Sequence, residues 1–555
     1  MGDNRQSWRQ SNRSYEHALE LLSQVQSNKA VTNLFDGSET KERNLSTTDL
    51  NALAIPEMEA WLHRAGYTPA NLSAVPCVHV AGTKGKGSVS ALTAAILTHW
   101  YRSRPPQSQQ TPPSGATGVT VSRMQEGSKG PRPLVGTYSS PHVVSVRERI
   151  ALDGEPIDRE RFAFYFFEVW DRLTEAALRA DAETLRQPPL SLEEAAGPAT
   201  KPFFFRLLTL VAFHTFLCEG VRAAVIECGI GGEYDATNVL PASAVTAAVI
   251  TQLGIDHIAM LGSTIEEIAW HKAGIFKTGV RAFTRRLPSP EGDVVMEVLR
   301  RRAAEKGAAE LVEIADEDVE AWSGVHGAQL RGPFQKWNMA LAAAAAREHI
   351  LRVGGRFDDE FAGEDYKLRS MPREFEDGLR EASLKGRSEV FIDQGADGVS
   401  IRWYLDGAHT EDSVAGVGQW FASEASSPDV RRVLVFNQQD RDTAPLLQAL
   451  VGSVRGSLQS QRAFHCAIFT RNDEKRPAVD DVPRNCAAQM KALEAMKTLD
   501  NETQSYCETS VESSIDLVRT LARKAKQEEH SLAVLVTGSF HLVGPVIRSI
   551  EHVEC

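Results

Sequence analysis

Short apolar runs alternate along the chain with longer segments of helical periodicity, a pattern typical of β-α-β units and parallel sheets. The runs that predict strands are 78–81, 133–138, 222–226 and 245–250, and then 402–405, 431–436, 463–470 and 531–537. Helices are predicted over 15–26 and 334–350, and the second contains five consecutive alanines. The pattern therefore predicts an α/β protein with mainly parallel sheets.

Breaks in this pattern predict two domains. The periodicity decays after the second helix through Gly354-Gly355 and a charged segment. We therefore place an N-terminal domain at 1–352, a linker at 353–384 and a smaller C-terminal domain at 385–555. Two insertions interrupt the first domain: residues 101–133, rich in Pro, Ser, Gln and Gly and predicted to be mobile, and residues 181–201.

Composition narrows the functional classes. The chain has 555 residues, 42% apolar and 24% charged, and a formal net charge of −12. No basic stripe offsets that charge, which argues against general nucleic-acid binding. Seven cysteines lie scattered without a C-x-x-C pair, so neither a zinc site nor a disulfide framework is indicated. No run approaches the roughly 18 apolar residues that a membrane span needs. We expect a cytoplasmic protein, and the arginines and serines near the N-terminus leave a mitochondrial pool open.

The first predicted strand ends in a glycine-rich segment with the chemistry of a phosphate-binding loop. An alanine-rich helical stretch follows the segment, whose residues are Gly82, Thr83, Lys84, Gly85, Lys86, Gly87 and Ser88. Glycines let backbone N–H groups approach an anion, the helix N-terminus adds positive potential, and Lys86 adds a full charge. The alternative is a glycine-rich turn with a solvated lysine, which the strand-loop-helix order disfavours.

This phosphate loop departs from the Walker A pattern. Val80 stands where that pattern has its first glycine, and Gly87 follows the lysine in place of Ser or Thr. The departure leaves open whether Ser88 contacts a magnesium ion or only a phosphate oxygen.

Polar residues also follow three other strands of the N-terminal half: Ser140, Glu227 and the pair Asp256-His257. Because the carboxyl ends of parallel strands meet at one edge of a sheet, these residues are expected to converge near the phosphate loop. Magnesium prefers hard oxygen ligands, so Glu227 is the best candidate; the alternative is a surface acid beside a glycine turn. His257 is a softer ligand, and the residues alone favour a structural role for it.

Lys272 falls on the apolar face of a predicted helix. Ser263 and Thr264 each begin an [ST]-x-x-E capping pattern, and Ile265 and Ile268 mark the buried face. A lysine on that face must snorkel, pair with an acid or lose its charge, and snorkelling is the common outcome. A neutral amine could instead react with carbon dioxide and give a carbamate, an anion able to serve a metal site.

Longer motifs resemble those of the folylpolyglutamate synthase family, eukaryotic type, within the Mur ligase superfamily. The phosphate loop has the family's G-T-x-G-K-x-[ST] form. Further matches, in chain order, are 136–142 (GTYSSPH) with 147–150, 227–238 (ECGIGGEYDATN), 253–257 with 268–277, 404–410 (YLDGAHT), 436–442 and 537–542 (TGSFHL). They cover nearly the whole chain apart from the insertions. Departures are Phe334 in place of a usual His, Glu233 where arginine is frequent, and His271 where Glu or Gln is frequent.

The resemblance implies a larger Rossmann-like P-loop ATPase domain and a smaller Rossmann-like glutamate ligase domain. The magnesium ligands that it implies are Ser140, Glu227 and His257. Its nucleotide contacts are the phosphate loop with Gln335, Asn338, Arg387 and Asp406. Its substrate contacts are Arg149, His409 and Ser539. Its catalytic residues are Lys86, Lys272 (as a carbamate), Asp406 and His409.

The activity implied is the ATP-dependent addition of L-glutamate to the γ-carboxylate of a folate's terminal glutamate, through an acyl phosphate. ATP, Mg²⁺, reduced folate and L-glutamate are the implied partners of a monomeric enzyme. Two alternatives stay open: a dihydrofolate synthase, which joins the first glutamate to a pteroate, and a nucleotide-binding regulatory protein without catalysis. The presence of Lys86, Glu227, Lys272 and Asp406 disfavours the regulatory protein.

Overall fold

Two compact units make up the chain. The structure is a computed structural model that describes residues 13–25, 47–104, 132–184, 189–290, 292–357, 361, 368–395, 398–439, 441–477 and 484–551. The first unit comprises Met1–Pro141, Arg147–His326 and Trp337–Glu381. The second comprises His142–Val146, Gly327–Lys336 and Ala382–Cys555. Among the helices of the described residues, none combines the length and apolar character required to cross a membrane.

The first unit is built on an eight-stranded sheet. Its strands are β1 (Cys77–Ala81), β2 (Val135–Tyr138), β3 (Ile150–Leu152), β4 (Glu155–Pro156), β5 (Ala223–Glu227), β6 (Val245–Ile250), β7 (Arg281–Arg285) and β8 (Glu310–Ile314). Their order is β4-β3-β2-β5-β1-β6-β7-β8. Pairing is parallel except where β3 meets β2 and β4. The central strands β1, β5 and β6 are buried at every position, as in sheets covered on both faces.

Helices follow most of these strands. Between residues 13 and 381 they are α1 (Tyr15–Gln24), α2 (Thr47–Arg64), α3 (Pro69–Leu72), α4 (Lys86–Ser103), α5 (Arg159–Thr184), α6 (Leu192–Ala196), α7 (Phe204–Glu219), α8 (Ile258–Leu261), α9 (Ile265–Lys272), α10 (Asp293–Lys306), α11 (Asp316–Glu320), α12 (Gln335–Arg352) and α13 (Arg373–Glu381). The β-α-β order brings the carboxyl ends of the parallel strands to one edge of the sheet.

The second unit has a six-stranded sheet with helices on both faces. Its strands are β9 (Glu389–Gln394), β10 (Ser400–Leu405), β11 (Val430–Phe436), β12 (Cys466–Thr470), β13 (Gln504–Glu508) and β14 (Ser531–Thr537). Its helices are α14 (Glu411–Glu424), α15 (Thr443–Leu458), α16 (Ala487–Leu499), α17 (Val511–Gln527) and α18 (Phe540–Glu551). The order is β13-β12-β11-β14-β10-β9, and only β9 is antiparallel to its neighbour.

Alternation along β10 shows how this sheet separates two cores. Trp403 joins the apolar cluster on one face, with Val433 and Ile547. Tyr404, the next residue, joins the cluster on the other face, with Trp420. Because successive side chains of a strand point to opposite faces, one apolar run serves both cores.

The predicted fold class is confirmed, since both sheets are mainly parallel and interleaved with helices. Strands β6 and β14 have the predicted bounds, and the other predicted strands begin or end within three residues of theirs. Strands that the pattern did not predict are β3, β4, β7, β8, β9 and β13. They lie toward the sheet edges, where partly exposed positions interrupt the apolar runs.

The two predicted insertions differ in what the structure describes of them. Helix α4 extends to Ser103, and residues 105–131 lie outside the described residues. Within 181–201, α5 continues to Thr184, residues 185–188 are again outside, and α6 forms under a capping box of Ser191 and Glu194. Lys201 Nζ donates to the Ala195 carbonyl at 2.8 Å. The second insertion is therefore partly ordered by its own polar contacts.

Part of the predicted linker, 353–384, is a packed helix. Helix α13 lies against α4 in the first unit. Phe375 and Leu379 are fully buried, and a Cβ on Gly378 would lie 2.6 Å from the backbone of Ile96. The partner of this short helix is distant in sequence, so the local pattern alone did not reveal it.

Candidate active site

The phosphate loop connects β1 to the N-terminus of α4. Gly82 and Gly85 both have positive φ, 149° and 85°. A Cβ on Gly82 would lie 1.9 Å from Thr251 Oγ1, and one on Gly85 would lie 2.6 Å from Asn338 Oδ1. Only glycine fits either position, and the loop therefore packs its backbone closely against Thr251 and Asn338 just before the helix N-terminus, the end of a helix that attracts anions.

Hydrogen bonds tie this loop to the segment after β6. The N–H groups of Thr83 and Lys84 both donate to the Gln252 carbonyl, at 2.9 and 3.1 Å. Thr83 Oγ1 donates to the Gly254 carbonyl at 3.0 Å, and Thr251 Oγ1 donates to the Lys84 carbonyl at 2.7 Å. The segment that carries Asp256 and His257 is thus held beside the phosphate loop, as the convergence of strand ends predicted.

Lys272 reaches the same loop from the last turn of α9. This helix begins at Ile265 with Thr264 and Glu267 as its capping box. Lys272 is 2% exposed, and its Nζ donates to the Gly82 carbonyl at 2.8 Å. Burial, helped by the charge of Lys86, lowers the pKa of Lys272 to about 7. The lysine therefore neither snorkels to solvent nor remains fully protonated at neutral pH.

Glu227, Ser140 and Arg149 form a second group. Glu227 ends β5 and is 2% exposed, and it accepts the backbone N–H of Ser140 at 3.3 Å through Oε2. Arg149 is also buried, with its guanidinium 5.2 Å from the ring centre of Phe204, and its charge interacts with Glu227. Burial lowers the pKa of Arg149, and this interaction opposes the shift.

His257 is more exposed to solvent than Glu227 and Arg149. It adopts φ 52° just before α8, its side chain is 46% exposed, and its N–H donates to Asp256 Oδ1 at 2.9 Å. Its role beside Glu227 stays a prediction.

Ser88 is buried in the first turn of α4. Gln335 and Asn338 are both buried, the first in the second unit and the second in the first unit.

Asp406 is the buried carboxylate of the second unit. It follows β10 and accepts the N–H groups of Ser388 and Ala408, at 2.8 and 2.9 Å. Burial raises the pKa of Asp406, and the neighbouring charge of Arg387 opposes that shift. The two backbone donors hold the carboxylate in one orientation.

Phe540, which was not predicted as a site residue, contacts two predicted site residues of the second unit. The Arg387 guanidinium lies 4.0 Å from its ring centre, and the His409 ring packs edge-on at 6.1 Å. His409 Nδ1 lies 2.9 Å from the Gly407 carbonyl and therefore donates to it. Ser539, directly before Phe540, accepts the His541 N–H at the start of α18. The carboxyl ends of β10 and β14 bring these residues together.

Comparison with known proteins places the chain in a family. The family model described as dihydrofolate synthetase, C-terminal domain, matches residues 389–549. A curated folylpolyglutamate synthase from Saccharomyces cerevisiae (strain FostersO) is 33% identical over 556 residues, which cover 98% of this chain and 88% of the yeast protein. The chain belongs to the folylpolyglutamate synthase family.

Solved folylpolyglutamate synthases share the fold. The Mycobacterium tuberculosis enzyme complexed with ADP and AMPPCP matches with a TM-score of 0.61 and 22% identity, covering 90% of this chain and 96% of that one. A bifunctional folylpolyglutamate synthase/dihydrofolate synthase from Yersinia pestis, complexed with AMPPNP and a Mn ion, matches with a TM-score of 0.57 and 20% identity. It covers 90% of this chain and 93% of its own.

The charge of Glu233, one of the departures from the folylpolyglutamate synthase motifs, is balanced locally. Glu233 pairs with Arg302 at 2.5 Å and with Lys306 at 2.9 Å. The Glu233 N–H also donates to the His271 carbonyl at 2.7 Å. Burial lowers the pKa of His271, and Glu233 opposes this shift. The acid that replaces a frequent arginine therefore has its own two cationic partners.

Residues that sequence reasoning missed are Thr251 and Phe540. Thr251 fills the space that Gly82 leaves, and Phe540 lies where a Cβ on Gly407 would come within 2.2 Å. A glycine at the end of a strand was the available signal in both cases. It indicated a close approach without naming the group that approaches.

The described residues also contain a group of metal-binding types, Glu168, His214 and Cys218, with ligand atoms within 4.8 Å of one another. Both ring nitrogens of His214 are already engaged, Nδ1 with Tyr67 at 2.5 Å and Nε2 with Glu168 at 2.7 Å. Cys218 Sγ is 3.6 Å from both nitrogens. We interpret the group as a hydrogen-bonded cluster of the core.

Proposed function

We propose that this protein is an ATP-dependent ligase that adds L-glutamate to the γ-carboxylate of the terminal glutamate of a (tetrahydro)folate and so makes folylpoly-γ-glutamates. Membership of the folylpolyglutamate synthase family supports this reaction. The observation that supports ATP binding is the phosphate loop. It has two positive-φ glycines and leads into the N-terminus of an 18-residue helix, and Lys272 donates a hydrogen bond to the carbonyl of Gly82 in this loop. These features favour a loop that binds a triphosphate over an ordinary solvated turn.

In the first step proposed, the folate γ-carboxylate attacks the γ-phosphoryl group of ATP and gives an acyl phosphate and ADP. Backbone N–H groups of the loop, other than those of Thr83 and Lys84 that donate to Gln252, would hold the phosphates in line, and Lys86 would offset charge on the transferring oxygens. Asn338, against Gly85, is proposed on the adenine side. Further nucleotide contacts are proposed for Gln335, Arg387 and Asp406.

The residues proposed for magnesium fit that ion. Glu227 supplies a hard oxygen from a nearly dry position, oriented by the Ser140 N–H, and the His257 segment is bonded to the phosphate loop. The Mn ion and AMPPNP of the Yersinia pestis protein support a divalent metal with the nucleotide. When bound, magnesium would neutralise charge on the phosphates.

Lys272 is proposed to act as a carbamate. A pKa of about 7 leaves part of its amine unprotonated at neutral pH, and that form reacts with carbon dioxide. Lys272→Ala should be inactive, with partial rescue of turnover by small carboxylates. An unaltered rate in this variant would remove the carbamate from the mechanism.

In the second step proposed, L-glutamate attacks the acyl phosphate through its neutral amine. His409 would orient the amine or accept its proton through Nε2, because Nδ1 is committed to Gly407. Arg149 and Ser539 are proposed as partners for substrate carboxylates. Water must be excluded at this stage, since an acyl phosphate open to solvent hydrolyses.

A dihydrofolate synthase is the second candidate. The match of residues 389–549 to the C-terminal domain of dihydrofolate synthetase supports it. The chemistry is the same, and only the carboxylate acceptor differs.

Mass spectrometry of products separates the two candidates. Purified protein is given ATP and excess L-glutamate with either tetrahydrofolate or a pteroate. We expect a ladder of added glutamates on tetrahydrofolate. A single addition on the pteroate alone would indicate a dihydrofolate synthase, and ADP release that does not depend on either acceptor would revive the regulatory protein.

Lys86→Ala tests the phosphate-loop assignment. We expect the variant to lose turnover and to keep the wild-type circular dichroism spectrum and melting temperature. Lys524→Ala, at an exposed position of α17, is the matched control and should keep full activity. Near-normal turnover in Lys86→Ala would contradict the assignment.

A further inference from the structure

A buried chain of hydrogen bonds connects β1 to the turn that follows Glu227. His79, at the third position of β1, is fully buried. Its Nε2 lies 2.9 Å from Thr237 Oγ1 and 3.2 Å from the Sγ of Cys228, the residue after Glu227. The strand that leads into the phosphate loop is thus joined to the backbone that carries the proposed magnesium ligand.

The direction of the first bond follows from counting hydrogens. Thr237 Oγ1 donates its one hydrogen to Asp235 Oδ1 at 2.6 Å, so it can only accept from His79. His79 must therefore carry a hydrogen on Nε2. Burial lowers the pKa of His79 to about 3 and keeps the ring neutral, so Nδ1 bears no hydrogen. Within the described residues Nδ1 has no hydrogen-bond partner.

Asp235 connects Thr237 to the backbone of the turn after Glu227. Its carboxylate accepts the N–H groups of Gly229 and Ile230 at 2.9 and 3.0 Å, and the N–H of Thr237 at 2.9 Å. Together these bonds close the turn that begins directly after Glu227 and Cys228. Displacement of Thr237 would therefore shift this turn and change the position of Glu227.

We propose that His79 is a positioning residue for Glu227: its Nε2–H holds Thr237, Thr237 and Asp235 hold the turn, and the turn sets the Glu227 carboxylate relative to the phosphate loop. The inference rests on the proposed function, in which Glu227 is a magnesium ligand. A residue with a purely structural role would need only to fill the space. A positioning residue needs a donor where Nε2 stands.

Two substitutions separate the donor from the packing. Gln places an amide N–H close to the position of Nε2, whereas Leu occupies similar space without a donor. We expect His79→Leu to weaken Mn²⁺ binding, in the presence of a non-hydrolysable ATP analogue, by about tenfold. His79→Gln should recover most of this loss, and the KM for L-glutamate should change little in either variant. The electron paramagnetic resonance signal of free Mn²⁺ measures binding without turnover.

His349 provides the matched control. It is another fully buried histidine, with its ring nitrogens 2.9 Å from Tyr101 and 2.8 Å from Thr246, at the end of α4 and the start of β6. His349→Leu should lower the melting temperature as His79→Leu does and leave Mn²⁺ affinity unchanged.

The proposal is overturned if His79→Leu binds Mn²⁺ as wild type does, or if His79→Gln loses as much affinity as His79→Leu. Should His79→Leu not fold, Thr237→Val removes the same bond from the other side and Thr237→Ser retains it, with the same contrast expected and the same meaning if it is missing. Wild-type protein that binds Mn²⁺ and nucleotide but glutamylates no folate would refute the proposed function alone.

Discussion

At the scale of single residues, the candidate site depends on side chains that occupy the space glycines leave open. The motif spacing predicted Gly82, Gly85 and Lys86, because a phosphate loop is a local pattern. It did not predict that Asn338 would lie against Gly85, since that contact joins distant parts of the chain. At each such glycine, substitution by alanine adds a methyl group that would clash with the neighbouring side chain.

Gly85→Ala is the sharpest test of this packing, with Gly154→Ala as its control. Both glycines have positive φ, near 85° and 90°, but a Cβ on Gly154 meets nothing within 4 Å. Both variants should lose about 1 kcal/mol of unfolding free energy from the backbone conformation. Only Gly85→Ala should also lose affinity for a non-hydrolysable ATP analogue, measured by calorimetry, because it must displace Asn338. Unchanged affinity in Gly85→Ala would count against the loop as a nucleotide site.

Lys272 makes a prediction about pH. Burial lowers its pKa from an ordinary value near 10.5 to about 7. Above pH 7 the unfolded chain therefore holds a proton that the folded protein has released, so this group makes the free energy of unfolding rise with pH. In urea, wild type should gain stability relative to Lys272→Met between about pH 7 and about pH 10.5, with a constant difference at lower pH. Parallel pH profiles for the two proteins would contradict the shifted pKa.

At the scale of elements, central strands and capped helices were predictable and packed edges were not. Strands β1, β5 and β6 are buried at every position, so their apolar runs are continuous. Two overlapping capping patterns predicted the start of α9, and the structure uses that of Thr264 and Glu267. Helix α13 escaped prediction because its apolar residues are few and its partner, α4, lies far away in sequence.

Gly378→Ala tests the packing of α13 on α4. The new methyl group would meet the backbone of Ile96 at 2.6 Å, and such overpacking costs roughly 1–3 kcal/mol. Gly452→Ala, in helix α15 with nothing within 4 Å, should instead stabilise the protein by roughly 0.5–1 kcal/mol. Urea denaturation followed by circular dichroism measures both. The docked helix would be refuted if Gly378→Ala were as stable as Gly452→Ala.

At the scale of the whole molecule, the second unit is not continuous in sequence. It includes 142–146 and 327–336 as well as the residues from 382 onward. A Cβ on Gly544 would lie 2.1 Å from the Val143 carbonyl, and Arg331 pairs with Glu424 at 2.8 Å. The C-terminal sheet therefore depends on segments that precede it by long stretches of chain.

A fragment of residues 382–555 should accordingly be less stable than the same residues in the full chain. Removal of Val143 and Arg331 uncovers the surfaces at Gly544 and Glu424. Hydrogen exchange followed by mass spectrometry should show faster exchange for α14, which ends at Glu424, and for α18, which contains Gly544, in the fragment. Equal protection in both proteins would mean that the two short segments contribute little.

The fold class, the family and the strand ends at which polar groups stand were determined by the sequence itself, because they reside in local periodicity and in short motifs with fixed spacing. Tertiary structure decided which of those groups meet. Lys272 donates a hydrogen bond to the Gly82 carbonyl, and His79 is hydrogen-bonded to Thr237. Both contacts form only because the register of β1 against β5 and β6 and the docking of α9 bring distant residues together. Those contacts depend on how whole elements pack, which no local pattern encodes.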